Sequence, residues 1–142
     1  MIEKLLNTQF KSHNEEGLDE YMQAQNVNFI LRKIVKNMTI YETLTQDGDT
    51  FTYKFETTFK NHKMIFKLGE PFIDYGLDGR NMKTTFTVED DKLITTQENT
   101  KEGDVPCRME RRVLEDGNLE IKLISTPTNT VCKRIFVVNK RL

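Results

Sequence analysis

Tryptophan is absent from this chain, proline occurs three times and cysteine twice. Two cysteines, Cys107 and Cys132, are too few for the disulfide framework that substitutes for a core in small secreted domains. Histidine is as scarce: His13 and His62 stand far from both cysteines, so no metal-ligand spacing exists. No apolar run approaches the roughly 20 residues of a membrane-spanning helix. The amino terminus lacks an apolar stretch of signal-peptide length, and together with free thiols this predicts a cytoplasmic protein. Charge is balanced, with 21 Lys and Arg against 22 Asp and Glu, so the net charge of −1 argues against general nucleic-acid binding. With 7 glycines and few prolines, no long disordered linker is expected. Internal repeats, a phosphate-cradling glycine loop and a nucleophile–base pair are all missing. Neither an enzyme nor a cofactor is therefore expected.

What remains is a chain of 142 residues, 37% hydrophobic and 30% charged, which suits one globular domain over residues 1–142. The second half of the stretch from Glu3 to Ser12 reads as a strand. Asn14 is placed to cap a helix in which Glu15 and Glu16 favour the N-terminal dipole and Leu18, Tyr21 and Met22 share a face. A second helical stripe follows Asn26, with Val27, Ile30, Leu31, Ile34, Val35 and Met38 on one side and Arg32, Lys33 and Lys36 on others. Both helices are too short to persist alone, so they must lie on something.

From Thr39 the hydrophobic period changes to two. Phe51, Tyr53, Phe55, Thr57 and Phe59 alternate with Thr52, Lys54 and Glu56. Further alternating runs cover His62 to Leu68, Met82 to Val88, Lys92 to Glu98, Arg108 to Leu114, Leu119 to Ile124 and Thr130 to Val138. Turn signals fall between them at Gln46 to Gly48, Leu68-Gly69, Asp90-Asp91 and Glu115 to Asn118. Short connections make neighbouring strands antiparallel, and such a meander closes as a barrel or stacks as a sandwich.

The last run holds the most informative residue. Arg134 shares a strand face with Cys132, Phe136 and Val138. If that face looks inward, the guanidinium needs an anionic or polar partner; if it faces solvent, Arg134 is an ordinary surface charge. Polar residues recur on the other inward-reading faces, at Thr57, Thr84, Thr95, Gln97 and Arg112. A dry core does not accept that many polar groups without partners, whereas a cavity holding water and a ligand does.

Several stretches, taken together, resemble the intracellular lipid-binding proteins, the family of fatty-acid-binding and cellular retinoid-binding proteins. They are Leu18-Asp-Glu-Tyr-Met22, Asn37-Met-Thr39, Asp47-Gly-Asp49, Thr58-Phe-Lys-Asn61 followed by Phe66-Lys-Leu-Gly69, Asp78-Gly-Arg80 and Val131-Cys-Lys-Arg-Ile-Phe136. The resemblance runs from about Phe10 to the end. It implies an all-β fold, a ten-stranded antiparallel up-and-down β-barrel of the lipocalin-like (calycin) type capped by a helix-turn-helix. It also implies a monomer that binds and transports a long-chain fatty acid or similar hydrophobic carboxylate.

In that family two inward arginines and a tyrosine grip the ligand carboxylate. By position the arginines are Arg112, five residues before Gly117, and Arg134; the tyrosine is replaced by Phe136, and Glu110 and Cys132 neighbour the anion site. Leu18, Met22, Val27, Phe59, Leu77 and Arg80 would surround the portal or upper cavity, and Tyr53, Phe55, Phe66, Met82 and Phe86 would line the interior. Three departures stand out: Phe136 lacks the hydroxyl, Phe10 stands where a tryptophan is usual, and Asn99 to Pro106 make a longer loop. Alternation from Arg112 places Glu110 on its face, where it would compete for a guanidinium. The missing hydroxyl and Glu110 keep open a neutral ligand such as retinol or a sterol. The basic residues of the second helix keep open contact with anionic membranes, or a docking module with a vestigial cavity.

Overall fold

The structure is a computed structural model that describes residues 2–142. After a 3-10 turn at Ile2–Lys4, strand β1 (Thr8–Glu16) leads into helices α1 (Leu18–Ala24) and α2 (Phe29–Lys36). Nine strands follow: β2 (Ile40–Asp47), β3 (Thr50–Thr57), β4 (Asn61–Lys67), β5 (Phe72–Tyr75) and β6 (Asn81–Glu89). The last four are β7 (Lys92–Asn99), β8 (Cys107–Val113), β9 (Leu119–Ser125) and β10 (Thr130–Arg141). The ten form one antiparallel sheet in the order β4-β3-β2-β1-β10-β9-β8-β7-β6-β5. The β1–β10 ladder joins the two ends of the chain and makes a nearly closed barrel. Among the described residues β4 and β5 are the two edges of this sheet and share no ladder. Strand β5, four residues long, is too short for its period to be read from the sequence.

The first helix begins differently from the sequence expectation. Asn14, Glu15 and Glu16 belong to β1, where they pair with Ile135, Arg134 and Lys133. Their cross-strand partners hold them extended, so Asn14 is not a cap. Gly17 starts α1 instead, with φ of +82°, and a Cβ there would lie 2.8 Å from the Val131 carbonyl oxygen. Only glycine accepts both conditions. The Glu15 carboxylate accepts a hydrogen bond from the Leu18 amide at 3.0 Å, serving the free first turn from the strand side. Helix α2 has Asn28 as its cap, accepting from the Leu31 amide at 2.9 Å.

The buried apolar residues form two clusters. The larger fills the barrel with Phe10, Leu44, Phe51, Tyr53, Phe66, Phe86, Leu93, Ile121 and Phe136, among others. Phe86 stacks on Phe66 at a centroid separation of 3.8 Å, and Phe72 flanks both. These rings connect β4, β5 and β6, and so hold the sheet together where its ladder is interrupted. The smaller core seats α1 on the barrel through Leu18, Tyr21, Met22, Cys107 and Cys132. Burial pushes the Cys107 thiol above its ordinary pKa and the Cys132 thiol up to about 11, so both act as small apolar residues.

Because Phe86 is fully buried in the ring stack, Phe86→Ala should lower stability by about 3–5 kcal/mol in urea denaturation. A loss below about 1 kcal/mol would mean that the stack does not hold the gap.

Candidate functional site

Inside the barrel, polar side chains meet one another. Arg111 on β8 stands opposite Ile121 on β9, and Arg134 on β10 stands opposite the same Ile121. The two arginines therefore occupy one row of the inner wall with an isoleucine between them. Arg111 is buried, and so is its partner Glu42 on β2. Arg111 Nε lies 3.1 Å from Glu42 Oε1, and its terminal nitrogens lie 3.4 Å from Glu42 Oε2 and 3.4 Å from Thr95 Oγ1. The Tyr53 hydroxyl donates to Glu42 Oε1 at 2.7 Å. The guanidinium also lies 4.8 Å from the centroid of the Tyr53 ring. Burial alone would lower the Arg111 pKa, but the Glu42 charge and Tyr53 raise it, so it is a fixed cation. Burial, the largest influence, raises the Tyr53 pKa and keeps the phenol protonated as a donor.

Arg134 is treated differently. Its Nε is buried and has no hydrogen-bond partner, and burial lowers its pKa. The guanidinium rests 5.4 Å from the centroid of the Phe136 ring. Phe136 thus supports the cation with a ring face where a tyrosine would also offer a hydroxyl.

A cavity of about 260 Å³ opens between α2 and the barrel. Leu31, Ile34, Val35 and Met38 of α2, with Phe59 and Leu77, form its outer part. Phe55, Met64, Met82, Met109, Thr95, Gln97 and Arg111 form its inner part. Four of these wall residues are methionines, side chains that adapt to the shape of a ligand. The helical stripe read from the sequence is therefore a cavity wall; Ile30 departs from it and is exposed. His62 Nε2 and Asp74 Oδ1, 2.7 Å apart, cross the gap from β4 to β5 at the side of the cavity.

Residues 9–109 match the family described as the lipocalin / cytosolic fatty-acid binding protein family. The chain belongs to this family. It is 34% identical over 113 residues to a fatty acid-binding protein of Tyrophagus putrescentiae, covering 79% of this chain and 83% of that one. It is 33% identical over 130 residues to cellular retinoic acid-binding protein 1 of Gallus gallus, covering 90% and 93%. Its structure resembles that of a Schistosoma mansoni fatty acid binding protein in complex with arachidonic acid, with a TM-score of 0.86, 29% identity and coverage of 99% and 98%.

In this lipocalin-type barrel the arginine expected at 112 is one position out. Arg112 points outward, where its Nε lies 3.3 Å from Glu120 and its side chain is 42% exposed. Leu114 to Asn118 form a five-residue connection closed by a Val113–Leu119 pair, and counting back five from Gly117 lands on the wrong parity. Glu110 shares that outer face, bonded to Arg108 at 3.0 Å and to Lys92 at 3.5 Å, so it does not compete inside the barrel. The hydrogen bond from Arg108 holds the Glu110 carboxyl below the usual range. The acid that meets Arg111 inside the barrel is Glu42, which the sequence reading missed. The alternation Ile40, Glu42, Leu44 carries its signal.

Other expected positions divide as follows. Phe55, Phe59, Leu77, Arg80 and Met82 lie on the cavity wall. Arg80, however, is committed to structure: it bonds Asp78 at 2.8 Å, Gln25 at 2.9 Å and the Val105 carbonyl at 3.2 Å. It thereby ties down the long Asn99 to Pro106 loop. Leu18 and Met22 are not on the wall; with Cys132 they form the seat of α1, and Val27 packs against it. Tyr53, Phe66 and Phe86 belong to the packed core rather than the wall, because ring stacking consumes their faces. On α2, Arg32 and Lys36 both lie 3.3 Å from Asp19 of α1, and Lys33 covers the ring of Phe29.

The two neighbouring arginines should differ sharply on removal. Arg111→Ala leaves Glu42 buried without its cation and should cost about 3–5 kcal/mol in urea denaturation. Arg112→Ala should cost less than about 1 kcal/mol, as for other exposed pairs. The reverse order would mean that the faces are exchanged.

Proposed function

We propose that the protein, as a single-domain cytoplasmic monomer, binds and carries one long-chain fatty acid or similar hydrophobic carboxylate, without catalysis. The cavity supports the apolar part of this reading. Each methylene moved from water into such a wall contributes roughly 0.8 kcal/mol, so a long chain supplies on the order of 10 kcal/mol before association costs. The size, about 260 Å³, sits just below the usual ~300–1,000 Å³ of ligand pockets, and the methionine wall gives it room to adjust. The relative that binds arachidonic acid, at 29% identity, points the same way.

The observation that carries the anionic part is the buried, unpartnered Nε of Arg134. A buried donor without a partner is costly, and a carboxylate arriving there would satisfy it. The tail then supplies most of the affinity and Arg134 the preference for an anion. Ligand entry would pass between α2 and Phe59, whose ring is half exposed at the outer cavity. Exposed Phe29 and Ile30, with Lys33 beside them, give α2 an apolar and basic surface suited to brief contact with an anionic bilayer.

Calorimetric titration with oleate should show tight binding by the wild type and a loss of about 10- to 150-fold in Arg134→Ala, the worth of one charge-assisted hydrogen bond. Equal binding by the two proteins would remove Arg134 from the site. In sedimentation with vesicles, the apo protein should bind those containing phosphatidylserine and release them as salt rises; no difference from neutral vesicles would remove the membrane contact.

A further inference from the structure

Arg111 lines the cavity, yet its charge is already met. One edge of its guanidinium, Nε and Nη2, donates to the two Glu42 carboxylate oxygens at 3.1 and 3.4 Å, and the third nitrogen donates to Thr95 at 3.4 Å. The Tyr53 hydroxyl donates to Oε1 of the same carboxylate at 2.7 Å. A forked guanidinium–carboxylate pair is the geometry in which an arginine takes up a ligand carboxylate. Glu42 therefore stands where such a ligand group would otherwise bind. A second carboxylate brought to the same guanidinium would place two anions together in an enclosed apolar space, which is strongly unfavourable. The pair presents zero net charge to the cavity, while Arg134, across Ile121 from Arg111 and not itself on the cavity wall, keeps a buried Nε without a hydrogen-bond partner.

We infer that Glu42 is the specificity-determining residue of the cavity: it masks Arg111, so that a ligand head group meets one available arginine rather than two. The class of ligand broadens accordingly. A long-chain carboxylate is held at Arg134, and an uncharged long-chain alcohol, which forgoes that single contact, is accepted with a moderate loss. This inference rests on the reading that the cavity holds a long-chain lipid.

The test is calorimetric titration of oleate and oleyl alcohol into wild type, Glu42→Gln and the double variant Glu42→Gln/Arg111→Gln. In the wild type, oleate should be preferred by about 10- to 150-fold, the worth of one charge-assisted contact. Glu42→Gln exposes Arg111 and should shift the preference toward oleate by a further ~10-fold or more. The double variant removes the charges of both partners and should keep the wild-type preference within about threefold, well under the worth of one contact. If Glu42→Gln fails to fold because Arg111 is left buried and unpaired, the double variant still decides. A drop in its oleate preference of ~10-fold or more would show that Arg111 touches the ligand in the wild type, and would overturn the masking role. An unchanged preference in a folded Glu42→Gln would overturn it as well. Binding of neither lipid by the wild type would instead overturn the carrier reading, and this inference with it.

Discussion

The ion pair between Glu42 and Arg111 joins residues 69 apart in sequence, on strands separated in the sheet by β1, β10 and β9. Neither charge is tolerable inside the barrel without the other. Removing either would leave an ion in a region walled by Phe55, Tyr53 and Ile121. The pair therefore links the register of β2 to that of β8, since a slip of one residue in either strand would turn one partner out and strand the other inside. The buried Tyr53 hydroxyl is tied to the same pair through its hydrogen bond to Glu42.

The rest of the interior follows the same rule of satisfaction. Gln97 donates to Thr84 at 3.2 Å and lies 3.4 Å from the Cys107 sulfur, so the polar residues of β6, β7 and β8 form a connected set. Arg134 is the departure from that rule. Its partnerless Nε, and the ring of Phe136 in place of a second donor, give the barrel an unsatisfied group next to a satisfied one. Arg134 is not itself on the cavity wall; it lies across Ile121 from Arg111, which is.

The portal region shows how local and distant forces divide the work. Asp19 receives Arg32 and Lys36, which fixes α2 against α1 by its basic face. The apolar face of α2 buries nothing fully, because it forms one wall of a cavity instead of covering a core. Its amphipathic pattern is that of a core-packing helix, and no sequence pattern separates the two situations. The His62–Asp74 pair and the Phe66–Phe72–Phe86 stack hold the two strands that share no ladder.

By itself the sequence determined the antiparallel meander, the pair of short helices and the strand face that Arg134 shares with Cys132 and Phe136, because each depends on periods of two or 3.6 within a single segment. It also carried the family resemblance through motifs spread from Leu18 to Phe136. Choosing between Arg111 and Arg112 was beyond it. The two are adjacent, and the choice turns on one residue in the Leu114 to Asn118 connection, whose length no hydrophobic period reports. Finding the internal acid was harder still. Glu42 alternates with Ile40 and Leu44, but what it meets across the barrel is set by the tertiary structure, which gives Glu110 the solvent-side partners Arg108 and Lys92 and gives Glu42 a buried guanidinium. A strand's faces are a local property, but which face is enclosed, and what charge waits across the barrel, is settled by ten strands closing together.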